Sequence, residues 1–333
     1  MKPKIGVLLS NLGTPDAATA AAVRRYLAQF LWDRRVVDLP RPLWWLILHL
    51  IILRVRPARS ARLYRKVWSE EGSPLLAISR QQQQGLQKLL DAELGEEARF
   101  VVELGMRYGN PSLESALQRL EAQEVGEIVI LPLYPQNSCS TTASTFDAIG
   151  DYFRLRRRLL PHRFINHYHN HPAYIGAVVG SIEEAWQKGG RGERLILSFH
   201  GTPLRYEQEG DPYAAQCRRT AELIAAGLRL SADEWQITFQ SRFGKEPWLQ
   251  PYTDHTLKAL AREGVRRIDI VCPGFATDCL ETLEEIAGEN RELFLASGGE
   301  KLAYIPALNS SGAHLEMMKQ LLDEALCRQR VTA

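Results

Sequence analysis

The sequence has no apolar run long enough to cross a membrane. The longest, LWWLILHLIIL at residues 43–53, has 11 residues and is interrupted by His49, whereas a helix needs about 20 residues to span a bilayer. The N-terminus, MKPKIGVLLSNLGTP, begins like a strand and lacks the apolar core and cleavage site of a secretory signal. These absences exclude a spanning helix at 43–53 and predict a cytoplasmic protein.

Basic and acidic residues are nearly balanced. Lys and Arg number 41 against 39 Asp and Glu, which gives a net charge of +2. A dedicated nucleic-acid binder usually carries a clear cationic excess, so we expect no nucleic-acid partner. The sequence contains neither a Walker loop nor a Gly-x-Gly-x-x-Gly motif, and this predicts that no nucleotide is bound.

Cysteines are few and scattered. The five are Cys139, Cys217, Cys272, Cys279 and Cys327, and none forms a Cys-x-x-Cys pair. Because zinc and iron–sulfur sites usually show such pairs, the spacing gives no sign of either. We expect reduced thiols, as in a cytosolic compartment.

An internal repeat is present. VLLSNLGTP (7–15) matches LILSFHGTP (195–203), and GMRYG (105–109) matches QSRFG (240–244), which aligns Leu12 with His200 and Arg107 with Arg242. Alternating strands and helices predict an α/β fold with parallel sheets covered on both faces. We therefore predict two similar doubly wound, Rossmann-like domains with four-stranded parallel sheets, related by duplication. The N-terminal domain should span residues 1–165, completed by a C-terminal helix at 310–333, and the C-terminal domain residues 166–309.

The C-terminal ends of the parallel strands are where ligands bind in such folds. Five polar or aromatic residues fall there: His200, Arg107, Tyr134, Ser241 and Phe275. A histidine at the tip of a buried strand has three interpretations: a core residue, a metal ligand or a catalytic base. The strand by itself does not separate them.

An acidic segment, GFATDCLETLEEIAGEN (274–290), follows the third strand of the second half. Asp278, Glu281 and Glu285 would line one face of a helix capped by Thr277 or Asp278. A histidine facing such carboxylates suits a metal site or a proton relay, although acids also favour helix N-termini through the macrodipole. HYHNH (167–171) is a weaker metal candidate, since its three histidines would share one face only if the segment were a strand.

The first half is longer than the second between the two repeated motifs, and residues 40–75 lie in that interval. The apolar run 43–53 is followed there by Arg54, Arg56, Arg59, Arg62, Arg65 and Lys66. We predict a lip that overhangs the ligand site. Its composition suits a membrane surface, a flat apolar ligand carrying carboxylates, or a buried helix with a solvated basic flank.

Six segments resemble the ferrochelatase family, in the family's order along the chain: NLGTP, GMRYGNP, LYPQNSCSTT, SFHGTPLRYEQEGDPY, QSRFGKEPWLQP and GFATDCLETLEEI. The resemblance implies a chelatase-like fold and the insertion of Fe(II) into protoporphyrin IX, giving protohaem and two protons in the terminal step of haem synthesis. Related alternatives are a coproporphyrin or cobalt chelatase and a non-enzymatic tetrapyrrole carrier. The apolar lip favours protoporphyrin over a tetracarboxylate.

The resemblance also implies residue roles. His200 and Glu281 would be the catalytic and metal-binding pair, and Asp278 and Glu285 would extend an acidic path. Nine residues would hold the porphyrin: Leu12, Arg56, Arg59, Tyr64, Arg107, Tyr134, Ser241, Trp248 and Phe275. Leu12 and His200 would then address opposite faces of one macrocycle.

Two departures from the family's animal members bear on these expectations. Those members hold an iron–sulfur cluster on C-terminal cysteines, whereas this tail reads ALCRQRVTA with Cys327 alone; Cys139 matches one cluster position. We expect no cluster and no required cofactor, with iron as a substrate. Cys279 stands where animal members have histidine. We also expect residues 43–53 to contact the inner face of the membrane peripherally.

Overall fold

The computed structural model describes residues 4–94, 100–244 and 246–327. They form two compact units. The N-terminal unit contains the chain up to Tyr134, then Ser138–Asn166 and the chain from Ser310 onward, and the C-terminal unit contains Pro135–Asn137 and His167–Asn309. The end of the predicted 310–333 helix, the tail after Cys327 and Lys245 of QSRFGKEPWLQP lie outside the described residues.

The N-terminal unit is built on one parallel sheet. Its elements are β1 (Ile5–Thr14), α1 (Ala20–Trp32), α2 (Arg41–Ile47), a π-helical segment (Leu48–Ile52), α3 (Leu53–Val67), α4 (Pro74–Leu94), β2 (Phe100–Gly109), α5 (Leu113–Ala122), β3 (Glu127–Pro132), a second π-helical segment (Cys139–Ala143), α6 (Ser144–Arg154) and β4 (His162–Phe164). The strand order is β2-β1-β3-β4, with every neighbouring pair parallel.

The C-terminal unit repeats this plan. Its elements are α7 (Pro172–Gly189), β5 (Arg194–His200), α8 (Leu204–Gln208), α9 (Tyr213–Gly227), β6 (Trp235–Gln240), α10 (Thr253–Arg262), β7 (Arg267–Val271), a π-helix (Glu281–Asn290), α11 (Arg291–Ala296) and β8 (Lys301–Ile305). The strand order is β6-β5-β7-β8, again all parallel. The last helix, α12 (Gly312–Cys327), belongs to the N-terminal unit.

The strands have helices on both faces, which explains their continuous apolar sequences. Ile128, Val129, Ile130 and Leu131 of β3 are all fully buried. In the C-terminal unit, β5 and β7 share a core cluster with α10 and α11 and with Ile286 of the π-helix. Full burial of a side chain such as Ile286 stabilises the fold by about 1.5–3 kcal/mol. The acidic helix is thereby fixed to the sheet that carries His200.

The predicted α/β fold with two four-stranded parallel sheets is confirmed, and the equal strand orders agree with a duplication. One detail of the predicted repeat is wrong. Asn11 and Gly13 of β1 pair with Met106 and Tyr108, so Leu12 lies level with Arg107, whereas His200 pairs with Gln240. With Leu12 aligned to His200, the strand register therefore aligns Arg107 with Gln240. The sequence motifs GMRYG and QSRFG would instead align Arg107 with Arg242, two residues further along.

Glycine is required at the C-terminal ends of both leading strands because a neighbouring backbone carbonyl comes close. A Cβ at Gly13 would lie 1.7 Å from the Tyr108 carbonyl oxygen, and Gly13 has a φ of +109°. A Cβ at Gly201 would lie 2.9 Å from the Gln240 carbonyl oxygen and 3.2 Å from Cε3 of Trp248. The shared Gly-Thr-Pro motif therefore reflects the same close packing at both strand tips.

We expect the Gly201→Ala substitution to lower the free energy of unfolding by about 1–3 kcal/mol, because the added methyl group overpacks the tip of β5. Urea unfolding followed by circular dichroism measures the change. Gly176→Ala is the matched control, since nothing lies within 4 Å of a Cβ at that exposed position in α7. Alanine is favoured over glycine in a helix, so this control should be stabilised slightly. Equal unfolding curves for both variants would refute the packing argument.

The predicted lip is helical and amphipathic. Trp44, Leu48 and Leu53 pack with Leu31 of α1 in a buried cluster. The opposite side carries exposed apolar residues: Leu43, Trp45, Leu46, Leu50, Ile51 and Val55. One face of the segment is thus core and the other is apolar surface. Among the described residues, no helix is both long and apolar enough to cross a membrane.

Candidate active site

His200 is the last residue of β5, and two hydrogen bonds fix it. Its ring Nδ1 lies 2.6 Å from the carbonyl oxygen of Gly201, and the Tyr213 hydroxyl donates to the His200 carbonyl at 3.0 Å. Because a carbonyl only accepts, Nδ1 carries the proton and Nε2 keeps a free lone pair. The half-buried imidazole is therefore oriented as a base, or as a ligand, through Nε2.

Ser241 brings a carboxylate to the same strand tips. His200 pairs in register with Gln240, and Ser241 follows directly. The Ser241 backbone N–H donates to Glu285 Oε1 at 2.8 Å, and its hydroxyl donates to Oε2. Ser241 has a φ of +64°, which is uncommon for a residue with a Cβ and typical of strained functional positions. The strain is sustained by two hydrogen bonds to one carboxylate.

The pKa of the Glu285 carboxyl is raised above its usual value because the group is buried. The Ser241 hydrogen bonds and the charge of His200 lower this pKa, whereas the charge of Glu281 raises it, and burial prevails. His200 and Glu281 are thus both within electrostatic reach of Glu285. Such a group exchanges protons closer to neutral pH than an ordinary glutamate does.

The acidic helix is a π-helix and not the α-helix that the spacing predicted. π-Helical turns are wider and frequently occur at functional sites. Two side chains brace it: Gln240 Nε2 donates to the Glu281 carbonyl at 3.2 Å, and Asn290 Nδ2 donates to the Glu285 carbonyl at 2.9 Å. Both acids are therefore presented from a helix that is tied to β6.

Asp278 occupies a different environment from the two glutamates, so the predicted row of three carboxylates on one helix face is wrong. The π-helix begins at Glu281 and has no side-chain cap, so Asp278 does not cap it. Asp278 is 6% exposed, and its carboxylate accepts hydrogen bonds from four donors: the Thr282 and Tyr304 hydroxyls, the Asn309 amide and the Ala307 backbone N–H. Its hydrogen-bonding capacity is used to join the start of the π-helix to the chain after β8.

We expect Asp278→Asn to lower the free energy of unfolding by about 1–3 kcal/mol, because the amide group turns one acceptor into a donor among four buried donors. The pH dependence of iron insertion should keep its wild-type apparent pKa values. Denaturant unfolding and a pH–rate profile measure the two effects. If the stability is unchanged and an apparent pKa shifts, Asp278 acts as a relay and not as an anchor.

Trp248 and Phe275 are the two predicted aromatic contacts in the C-terminal unit. Trp248 is buried, its ring centroid lies 4.9 Å from that of Phe243, and its Nε1 has no hydrogen-bond partner. Phe275 is half-buried and packs on the core cluster of the second sheet. Trp248 also forms an isolated β-bridge with Pro203, three residues after His200, so it lies beside the His200 tip.

In the N-terminal unit, Arg107 is held by a network that the sequence did not reveal. Its guanidinium bonds to Asp33 at 2.5 Å and to the Ser144 hydroxyl at 2.7 Å, and the Tyr108 hydroxyl donates to Asp33 at 2.8 Å. Burial alone would raise the pKa of Asp33, but the bonds from Ser144, Tyr108 and Arg107 bring it below its usual value. Asp33 therefore stays ionised and fixes the orientation of Arg107.

The other predicted residues of this unit lie on β1, after β3 and on α3. Leu12 is in β1, and Tyr134 follows β3 with a buried hydroxyl that has no hydrogen-bond partner; burial raises its pKa. Arg56 and Arg59 are exposed on α3, whereas Tyr64 on the same helix is buried and meets Trp68 edge to face.

The HYHNH segment is not a strand, so its three histidines do not share a strand face. His171 caps α7 by accepting from the Ala173 N–H. His169 is buried, which lowers its pKa to about 4, and its Nδ1 has no partner. Over residues 4–94, 100–244 and 246–327, no three His, Cys, Asp or Glu side chains are grouped to hold a metal ion.

Comparison with known proteins decides the family. The model of the ferrochelatase family matches residues 4–326. The ferrochelatase of Marinobacter nauticus is 54% identical over 323 residues, covering 97% of this chain and 87% of that protein. The ferrochelatase of Aeromonas hydrophila is 54% identical over 329 residues and is covered to 99%, as is this chain. The chain belongs to the ferrochelatase family.

Membership of the ferrochelatase family confirms the predicted enzyme class, a metal chelatase lyase of haem biosynthesis. Solved structures support the chelatase-like fold. SirB from Bacillus subtilis with Fe3+ has a TM-score of 0.57 at 12% identity, covering 98% of this chain and 97% of that one. DR2241 from Deinococcus radiodurans, a multi-domain protein, has a TM-score of 0.50 at 11% identity, covering 96% of this chain and 55% of that one.

Proposed function

We propose that this ferrochelatase inserts Fe(II) into protoporphyrin IX, with His200 Nε2 as the acceptor of pyrrole protons. The supporting observation is the arrangement at the tips of β5 and β6, where the Nδ1–H of His200 is committed to a carbonyl and Glu285 is held by Ser241. Insertion requires the loss of two N–H protons from the ring. Histidine is the side chain that most often serves as a general base in such proton transfers.

Glu285 and Glu281 are the proposed next acceptors. The raised pKa of Glu285 makes it a better proton acceptor than an ordinary carboxylate at neutral pH. A negative charge beside His200 also stabilises the imidazolium that forms when a proton is taken up. Glu281 and His200 are the proposed ligands of the incoming iron, which is a substrate of the reaction.

The proposed porphyrin contacts combine apolar walls with cations. Trp248 and Phe275 in the C-terminal unit, and Leu12 and Tyr134 in the N-terminal unit, supply aromatic or aliphatic surface for the flat ring. Arg56, Arg59 and the oriented Arg107 supply charge for the two propionates, since guanidinium groups bind carboxylates strongly. Ser241 and Tyr64 are further proposed contacts, although the Ser241 hydroxyl is already donated to Glu285.

We also propose that activity requires no iron–sulfur cluster. Cys217, Cys272 and Cys279 are buried, and burial raises the pKa of each thiol well above its usual value. Because metal clusters bind thiolates, these three are poor cluster ligands. Cys139 is half-buried in the N-terminal unit.

An anaerobic assay with Fe(II) tests the substrate. Visible spectra should show haem formation from protoporphyrin IX. The kcat/KM for protoporphyrin IX should exceed that for coproporphyrin at least about tenfold, which corresponds to a difference of about 1.4 kcal/mol in activation free energy. Reactions with Co(II) and without enzyme are the controls. Faster insertion into coproporphyrin would overturn the proposed substrate, and porphyrin binding without insertion would favour the carrier function.

The exposed apolar face of the lip is the proposed site of peripheral membrane contact at the cytoplasmic surface. A variant with Leu43, Leu46, Leu50 and Ile51 changed to serine alters this face and leaves the buried Trp44, Leu48 and Leu53 in place. We expect it to float with liposomes less than the wild type, since interfacial binding scales with buried apolar area. Unchanged flotation would remove the membrane role of the lip.

A further inference from the structure

The connection after α6 presents arginines and leucines to solvent together. Residues 154–159 read RLRRRL, and we call them the basic loop. Leu155 is 76% exposed and Leu159 is 65% exposed. Both ends of the loop are anchored, because Tyr152, Phe153 and Leu160 are buried in the core cluster of the first sheet. The two leucines are therefore held outward by a fixed framework.

Two of the four arginines in the basic loop have no acidic or hydrogen-bonding partner among the described residues. Arg154 forms an exposed ion pair with Asp151 at 3.0 Å, and Arg156 stacks on the Tyr152 ring, whose hydroxyl donates to Glu121. Within the described part of the chain, Arg157 and Arg158 have neither an ion pair nor a hydrogen bond. Two guanidinium groups thus face solvent next to two projecting leucines.

This combination fits an anionic lipid surface better than other polyanions. A phosphate backbone would use the arginines but gain nothing from exposed leucines. At a membrane interface, leucines enter the acyl boundary while arginines contact anionic headgroups, each cation contributing about 1 kcal/mol. We infer that the basic loop is a docking site for anionic phospholipid headgroups, separate from the lip and independent of iron insertion.

The position of α6 supports a second contact on the same unit. Asp147 at the start of α6 pairs with Arg35 at 2.7 Å, and the adjacent Val36 and Val37 pack on the core cluster of the lip. From Asp147 to Arg154, the last residue of α6, the helix rises about 10 Å, so the residue that contacts Arg35 and the basic loop lie about two helical turns apart along α6. Stable membrane attachment generally needs two weak signals.

The test compares vesicles of phosphatidylcholine alone with vesicles that also contain phosphatidylglycerol. Arg157→Gln with Arg158→Gln should lower the partition coefficient on anionic vesicles about tenfold or more, and leave the weaker binding to neutral vesicles unchanged. Leu155→Ser with Leu159→Ser should weaken binding to both. Arg262→Gln with Arg291→Gln is the control, since it removes two exposed arginines from the C-terminal unit and should bind like the wild type.

Two outcomes would overturn the inference. Anionic vesicles could bind the Arg157/Arg158 variant as well as the wild type, or the Arg262/Arg291 control could lose as much binding as that variant. In the first case, a loss of retention on duplex DNA by the same variant would assign the loop to nucleic acid. Iron insertion in detergent should be unaffected in every variant, which shows that the fold is intact.

Discussion

We expect the His200→Ala enzyme to bind protoporphyrin normally and to insert iron about 10²–10⁴ times more slowly, the usual effect of removing a general base. The substitution removes Nε2, whereas the proposed ring contacts Trp248 and Phe275 remain. Porphyrin binding is measured by fluorescence titration and insertion by the visible spectrum under anaerobic conditions.

His162→Ala is the matched control for this experiment. The His162 ring also bonds to a backbone carbonyl, Leu160 at 3.1 Å, but it lies in β4 of the N-terminal unit. The control should insert iron at the wild-type rate. Full activity of His200→Ala would refute the proposed mechanism, and loss of porphyrin binding together with activity would assign His200 a structural role.

The Glu285→Gln enzyme should lose about two orders of magnitude in the rate of insertion, as expected when a proton acceptor is removed, while its fold is at least as stable at neutral pH. Glutamine keeps an oxygen to accept from the Ser241 N–H and gains an N–H that can donate to the Ser241 hydroxyl. It also removes a buried charge, which is costly to desolvate. Activity and stability therefore change independently.

The direction of the pH effect follows from the raised pKa of Glu285. A carboxyl whose pKa is higher in the folded state than its ordinary 4.5 binds protons more tightly when folded. Its contribution to stability is therefore greatest below about pH 4.5 and declines as the pH rises through the folded pKa. The stability advantage of Glu285→Gln over the wild type should grow between pH 5 and pH 8.

Urea unfolding at these two pH values measures the advantage, with Glu292→Gln as the control. Glu292 is exposed on α11, so its substitution makes the same charge change without affecting a buried carboxylate. A stability difference that shrinks as the pH rises would show that Glu285 is not a destabilising buried charge. Wild-type insertion rates would exclude it from the proton route.

The fold was predictable because its signals are local. Runs such as Ile128–Leu131 indicate strands buried on both faces, and the repeated Gly-Thr-Pro marks a turn that packing imposes twice. His200 was a candidate because it ends such a strand, and Glu281 and Glu285 were candidates because they recur along a helix. Their proposed roles came from the family resemblance. The strand and helix patterns are each contained within about ten residues, whereas the Gly-Thr-Pro repeat joins two distant segments of the chain.

The remaining features depend on contacts between distant parts of the chain. Asp278 accepts hydrogen bonds from Tyr304 and Asn309, which lie 26 and 31 residues away along the chain. Asp33 accepts one from Arg107, 74 residues away. The π-helix was not predictable because its apolar spacing resembles that of an α-helix. In the lip, the apolar run is nearly continuous, so the sequence does not show which of its residues are buried and which are exposed.

The return of α12 to the N-terminal unit has a consequence for synthesis on the ribosome. Leu315 of α12 lies against Gly85 of α4, and Met317, Met318 and Leu322 are buried. The C-terminal unit is a nearly continuous stretch that emerges before α12 does. Although N-terminal domains usually fold first, here the first-made half must wait for the last-made helix. A nascent chain that stalls before residue 312 would present a finished second half beside an incomplete first one.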